Sequence, residues 1–253
     1  MIFYFSATGN SLEAATVLGE SLDERTIDIT EAMRKKEFSY ALPNGERIGF
    51  VFPVFFFGVP SIVCDFIDRL ELKGVEHPYV FSVITCGEKI GAADKQFQKI
   101  IQRKGLDVNV CFTLIMPNNS VLWYELPTPE EQRSMLAAAR IRMGEIAQAV
   151  KENGTDGYAS TLGARINAVF MYSLYKHGRR TLKFHADERC TGCGLCGRVC
   201  PCGAIELRER RPVWVQDRCV QCLGCINRCP ATAIQYGEAT RSRRRYVNPI
   251  LKR

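Results

Sequence analysis

Histidine is scarce in this 253-residue chain: there are three, His77, His177 and His185, each isolated in sequence. That spacing supports neither an imidazole metal site nor a recognisable acid–base constellation, so each reads as a surface or packing residue. Long apolar runs are also missing. Met1 is followed at once by Ile2-Phe3-Tyr4-Phe5, with no secretory leader, and no later run approaches the roughly 20 apolar residues of a membrane span. A cytoplasmic protein is therefore expected. In that compartment, twelve cysteines argue for metal rather than for a disulfide framework.

Those cysteines are unevenly spread, nine of them following position 189. They form Cys190-x-x-Cys193-x-x-Cys196-x-x-x-Cys200-Pro201 and, 29 residues on, Cys219-x-x-Cys222-x-x-Cys225-x-x-x-Cys229-Pro230, with Ala204-Ile205 recurring as Ala233-Ile234. This is an internal repeat. Three thiolates at this spacing wrap three corners of an iron–sulfur cube from one tight turn, while the cysteine before the proline closes the other cube. Two [4Fe-4S] clusters are implied, one on Cys190, Cys193, Cys196 and Cys229, the other on Cys219, Cys222, Cys225 and Cys200. Structural zinc requires neither the three-cysteine turn nor Cys-Pro at both fourth positions. Cys202 has Ala231 as its counterpart, so it falls outside the ligand pattern and is expected to pack beside a cluster. Gly192, Gly194 and Gly224 suit close turns around a cube, and Trp214 and Ile205 are expected to shield the clusters. Residues 184–237 have almost no apolar core of their own, and the cubes would fill their centre.

The earlier part of the chain reads differently. Residues 2 to 5 form a buried strand that runs into Ser6-Ala7-Thr8-Gly9-Asn10-Ser11, after which Leu12, Ala15, Leu18 and Leu22 take helical spacing. A hydroxyl- and glycine-rich turn at a helix N-terminus offers amides and side-chain donors to a phosphate, although the same residues serve as ordinary caps. With no lysine and one glycine, the turn is neither a Walker A loop nor a dinucleotide fingerprint. Further strands are predicted at 26–29, 48–52, 79–84 and 108–115, and helices over Pro60 to Leu70 and around Ala93, Phe97, Ile100 and Ile101. A third helix opens at Thr128-Pro129-Glu130-Glu131 and ends near Gly154. The expected fold is α/β: a doubly wound five-stranded parallel sheet over residues 1–152, whose ligand lies beyond the carboxyl ends of the strands.

Three loops meet at that edge: Ser6 to Ser11, Pro53-Val54-Phe55-Phe56-Phe57-Gly58-Val59-Pro60, and Thr85-Cys86-Gly87-Glu88. Three consecutive phenylalanines between prolines cannot all face a core, so at least one is expected at the surface or against a ligand. Here residues 1–152 resemble the flavodoxin family, whose first loop has this Ser-x-Thr-Gly-Asn form and binds the phosphate of FMN. The resemblance implies phosphate contacts from Ser6, Thr8, Gly9, Asn10 and Ser11. It also implies that Pro53, Phe55, Phe56, Phe57 and Gly58, with Thr85, Cys86 and Gly87, flank the isoalloxazine. Flavodoxins commonly set a tyrosine or tryptophan against the ring; this sequence has phenylalanines in one loop and Cys86 in the other. Cys86 reads as a small loop residue, Cys64 and Cys111 as core thiols. Met116-Pro117-Asn118-Asn119 reaches either the ligand or the second domain, or is a plain turn.

Residues 153–183 read as a helical connector, with Leu162, Ile166, Val169, Phe170 and Leu174 as the apolar face that packs on one or both domains. Amphipathic membrane association is the alternative use of that face. The charge of +7 is concentrated in a basic tail, residues 238–253, including Arg241, Arg243, Arg244 and Arg245. A solvated end is one reading and an acidic protein partner the other, with no nucleic acid expected. The whole chain, including Arg245-Tyr246-Val247-Asn248-Pro249, resembles the flavodoxin–ferredoxin fusion family, a flavodoxin-like domain joined to a two-cluster bacterial-type ferredoxin of small α+β fold. That implies electron transfer between two [4Fe-4S] clusters and FMN, with redox partner proteins as donor and acceptor. A reductase of a small quinone-like acceptor, or an iron–sulfur sensor acting through the tail, are the alternatives.

Overall fold

The computed structural model describes residues 1–42, 47–74 and 77–252; Arg253, the end of the basic tail, lies outside them. The first domain alternates β1 (Ile2–Tyr4), α1 (Asn10–Leu22), β2 (Thr26–Asp28), α2 (Ile29–Lys35), β3 (Ser39–Ala41), β4 (Arg47–Pro53), α3 (Ser61–Arg69), β5 (Glu71–Lys73), β6 (Tyr79–Cys86), α4 (Ala93–Gln102), β7 (Val110–Ile115) and α5 (Pro129–Lys151). Strands β2-β1-β4-β6-β7 form one parallel five-stranded sheet in that order. This is the doubly wound flavodoxin-like topology, and the order reverses beside β1. The parallel pair β3–β5 was not expected from the sequence, because segments of three residues carry no readable period.

Alternation along the strands separates two apolar layers. Phe3, Phe50 and Phe52 join α2, α3 and α4 on one face; Ile2, Val51, Phe81 and Val83 join α1 and α5 on the other. The expected capping box is present: Thr128 Oγ1 accepts from the Glu131 amide, and the Glu131 carboxylate accepts from the Thr128 amide.

The connector contains α6 (Leu162–His177), capped by Thr161. It packs on both domains, but through the opposite face from the one expected. Ala168 and Tyr175 are buried, with Ala164, Met171 and Tyr172 half-buried beside them, whereas Leu162, Ile166, Val169 and Phe170 are 65–74 % exposed. Periodicity locates apolar arcs without saying which one faces inward. Here the tyrosines win, because their hydroxyls satisfy buried carbonyls that Leu or Val would leave unpaired.

Beyond it, β8 (Phe184–Ala186), α7 (Leu195–Arg198), β9 (Ile205–Arg208), β10 (Arg211–Trp214), α8 (Gly224–Asn227) and β11 (Ile234–Tyr236) fold as a small ferredoxin-type domain. It contains two antiparallel pairs, β8–β11 and β9–β10. Helix α8 falls 29 residues after α7, matching the sequence repeat. Backbone conformation repeats too. Gly192 and Gly194 have φ of +72 and +75, and their counterparts Gln221 and Leu223 hold +54 and +61 without a glycine's freedom. Side chains in this left-handed region cost about 1–2 kcal/mol each, so the second copy is the strained one.

The tail is only partly a solvated end: Arg241 and Arg244 are exposed, but the segment between and after them is anchored. Tyr246 and Asn248 are buried, and the Arg245 guanidinium donates to the carbonyls of Ile234, Thr240 and Arg243 and to Gln235 Oε1. Arg243 donates to the Val121 carbonyl. Charges that read as available in sequence are instead used to fix an irregular segment whose carbonyls have few other partners.

Candidate functional site: a cleft between the sheet edge and the cysteine repeat

A cleft of about 1370 Å³ opens at the carboxyl edge of the sheet, at the strand reversal where this topology binds ligands. Its walls include Ser6, Thr8, Asn10 and Ser11, Pro53 with Phe55, Phe56 and Phe57, and Thr85, Cys86 and Gly87. The three loops expected to form one site therefore meet. Two expected residues stand behind the wall. Gly9, at φ +102, backs onto Asn248 and Leu251, and Gly58 is where Tyr172 of α6 presses closest.

The first loop is held by side-chain bonds. Asn119 Nδ2 donates to Thr8 Oγ1 at 2.8 Å, Asn10 Nδ2 donates to the Pro117 carbonyl at 2.9 Å, and Ser11 and Thr85 share a hydroxyl bond of 2.8 Å. Helix α1 begins at Asn10, and Asn10 and Ser11 line the cleft; a helix N-terminus offers its first-turn amides to an anion. The Met116–Asn119 segment resolves as a link between domains, since the Asn119 carbonyl also accepts from Asn227 Nδ2 of α8 at 3.0 Å.

The phenylalanine loop is a tight reversal. Phe55 and Gly58 exchange both backbone hydrogen bonds at 2.9 Å, and Phe56 and Phe57 between them have φ of +49 and +61. That pair of conformations normally calls for Asn-Gly. Two aromatics here carry strain of about 1–3 kcal/mol each, and both line the cleft. Phe56 stacks on Tyr175 at 5.5 Å and meets Trp123 edge-on at 6.3 Å. In the neighbouring loop, burial pushes the Cys86 thiol up to about 11, so it is a neutral wall residue. Burial likewise pushes Cys64 up to about 11 and Cys111 up to about 12, as core thiols.

The cysteines gather as two sets. A small separate cavity is lined by Cys190, Cys193, Cys196 and Cys229 together, and by no cysteine of the other set. Burial raises Cys225 well above its ordinary value, and the thiols of Cys222, Cys219, Cys200 and, from the first set, Cys196 add to that rise. Backbone amides are aimed at sulfur at equivalent points of the repeat: Ala204 N–H to Cys200 Sγ and Ala233 N–H to Cys229 Sγ, both at 3.3 Å. The Sγ atoms of Cys202 and Cys200 lie 3.8 Å apart and share an S–H···S contact. That contact, with the Ala204 amide, holds Cys200 below the usual thiol range. Trp214 and Ile205 pack among these cysteines as expected.

Among the described residues, no group of three or more His, Cys, Asp or Glu converges as a single metal ion would need. A cube spreads its four thiolates over four irons, and the four cysteines that line the small cavity together could hold one. The cleft lining brings hydroxyls and the start of α1 together with aromatic side chains and Arg244, a set that suits a phosphate and a flat ring.

The two sites share a wall. Gln221, Cys222 and Leu223 of the second cysteine turn line the cleft, and Gly224 lies against the carbonyl and Cβ of Ala7 in the first loop. Cys222 is buried while its counterpart Cys193 is exposed. Helix α6 closes this junction: Tyr175 donates to the Val220 carbonyl at 3.0 Å, and Arg179 donates to Ser61 Oγ at 2.7 Å and to the Cys219 carbonyl at 3.3 Å. The tail closes it from behind. Tyr246 OH donates to Asn10 Oδ1 at 2.6 Å, and Asn248 Nδ2 donates to Glu13 Oε2 at 2.6 Å. Tyr175, Arg179, Trp123, Leu223 and Asn248 were not foreseen as site residues, because long-range docking leaves no local spacing to read.

Residues 189–233 match the 4Fe-4S dicluster domain family. No curated protein matches the chain. Among solved structures, a candidate flavoprotein from Bacteroides uniformis is 19 % identical with a TM-score of 0.34, over 46 % of this chain and 88 % of that one. Azoreductase AzrA is 12 % identical with a TM-score of 0.35, over 58 % and 98 %. Rubredoxin oxygen:oxidoreductase from Desulfovibrio gigas is 14 % identical with a TM-score of 0.33, over 60 % and 36 %. Overlap at this level says nothing of this chain's chemistry.

Proposed function

We propose that the chain is an electron-transfer flavo-iron–sulfur protein that passes single electrons between two [4Fe-4S] clusters and FMN, and between external redox partners. The observation that carries this reading is the shared wall: Cys222 and Leu223 line the cleft whose other walls are the first loop and the phenylalanine turn. FMN supplies both one- and two-electron chemistry where the clusters supply one-electron steps. Cys190, Cys193, Cys196 and Cys229 hold the outer cluster, where the exposed Cys193 lets a partner protein approach. Cys219, Cys222, Cys225 and Cys200 hold the inner one. The α1 amides with Ser6, Thr8, Asn10 and Ser11 bind the phosphate, and the Phe55–Phe57 turn and Cys86 confine the ring. Covalent joining makes the exchange intramolecular.

Anaerobic reconstitution followed by iron, sulfide and flavin quantitation tests the reading. It predicts about eight irons and one FMN per chain; eight irons without flavin would defeat it while leaving the cluster domain intact.

A second reading, reduction of a small quinone-like acceptor, has one observation in its favour. The cleft exceeds the roughly 300–1,000 Å³ of most small-molecule pockets, leaving room beside a flavin ring. Saturable turnover with quinones, lost on altering Phe55 to Phe57 while the clusters still reduce, would support it.

A further inference from the structure

The face of α6 that the protein leaves uncovered is its most apolar one. Leu162, Ile166, Val169 and Phe170 are 72, 68, 74 and 65 % exposed, on one arc of a helix whose opposite arc is fully used. Leu182, just beyond the helix, is 88 % exposed. Monomeric proteins seldom leave so continuous a patch without an occupant. Charge on the helix that carries the patch has one sign, while Glu88 and Glu125 line the cleft beside it. Helix α6 contains no acidic residue, and at its helical spacing Arg165 and Lys176 border one side of the apolar arc. Exposed Arg180 and Lys183 follow its C-terminus.

We propose that α6 and Leu182 form a docking face for an anionic lipid bilayer, with the helix lying in the headgroup region and the mouth of the cleft turned toward lipid. An amphipathic helix with cations flanking an aliphatic and aromatic face is built for that interface. It lies on the bilayer and does not cross it: no helix among the described residues is long and apolar enough to span. The cleft supplies an independent observation. Leu174 and Met171 of α6 line the cleft, and so do Trp123 and Tyr124, which are 56 and 59 % exposed. Tryptophan and tyrosine at a rim are the side chains that settle at headgroup level. A second copy of the chain fits less well, because pairing two such faces brings their rows of Arg165 and Lys176 together without a counter-charge. Docking in this orientation would let a lipid-soluble electron acceptor enter the cleft without crossing water, but vesicle binding does not depend on what the cleft reduces.

The test is co-sedimentation of the reconstituted full chain with vesicles of phosphatidylcholine alone, or of phosphatidylcholine containing phosphatidylglycerol. Binding is expected to the anionic vesicles, weakening as salt rises. It should fall about fivefold for each of Arg180→Gln and Lys183→Gln, and be lost in the double variant Ile166→Glu, Phe170→Glu, with iron content, flavin content and far-UV circular dichroism unchanged. Failure to bind anionic vesicles, or equal binding by the double variant, overturns the proposal. So does a dimer in light scattering that the same double variant dissolves while vesicles are ignored, which would assign the face to a second copy.

Discussion

Replacing Asn248 by alanine tests whether the chain's end clamps the first loop. Asn248 is fully buried. Its Nδ2 donates to Glu13 Oε2 at 2.6 Å and to Asn10 Oδ1 at 3.2 Å, and its Oδ1 accepts from the Ile250 amide at 3.0 Å. The Asn248 amide bond to the Thr8 carbonyl, 2.8 Å, survives the change. Glu13 keeps Arg140 at 2.8 Å, so its carboxylate loses one donor and is not orphaned. One charge-assisted bond and two neutral bonds, with partial desolvation left behind, amount to about 3–6 kcal/mol. Part of that loss falls on the phosphate loop, because Asn10 is then oriented by Tyr246 and Pro117 alone; about 1–2 kcal/mol of lost preorganisation weakens FMN binding about 5- to 30-fold. The assays are urea denaturation followed by flavin fluorescence and circular dichroism, and FMN titration of the apoflavin form. Tyr246→Phe, which removes one bond of 2.6 Å to Asn10, should show the same pattern at about 1 kcal/mol. An unchanged midpoint together with FMN affinity within twofold of the parent would refute the clamp.

Three further perturbations address other parts of the site. Cys229→Ser should remove the cluster built on the first repeat and leave about four irons per chain; loss of the second-repeat signature instead would mean the ligands do not cross. Gly91→Ala places a Cβ 2.3 Å from the Cβ of Phe57 at a position with φ +60, and should cost about 2–4 kcal/mol. FMN binding should be lost with both clusters retained, and retained FMN affinity would argue against the turn as a flavin wall. For Cys86, burial raises the thiol pKa to about 11, so at pH 8 its thiolate fraction is about a hundredfold below that of a thiol near 9. Alkylation mapped by mass spectrometry should accelerate about tenfold per pH unit up to that value, and fast labelling independent of pH would contradict the assignment.

What was legible in the sequence was what local chemistry encodes. Strand β4 and helix α5 were readable because a short continuous apolar run and the Thr128–Glu131 box are short-range patterns, and the cysteine repeat was readable because cluster ligation fixes its spacing. Helix α6 was foreseen in place but turned the wrong way. Its two arcs are both apolar enough to face inward, and only the docking of Tyr172 and Tyr175 onto carbonyls of other segments decides between them. Part of the tail's charge is opaque for a related reason: Arg243 and Arg245 look like free charge until the carbonyls they satisfy are known. Phe56 and Phe57 were picked out by composition alone, and their left-handed backbone could not be anticipated, since sequence preference at such a turn points to other residues.

The account's central claim is that the cleft and the second cysteine turn form one continuous redox unit. In the reconstituted chain, a light pulse that reduces the flavin should be followed by electron exchange with the clusters at a first-order rate independent of protein concentration, and slowed when Cys222 is replaced. A rate proportional to protein concentration, or one indifferent to the loss of Cys222, would show that electrons pass between molecules and not through the shared wall.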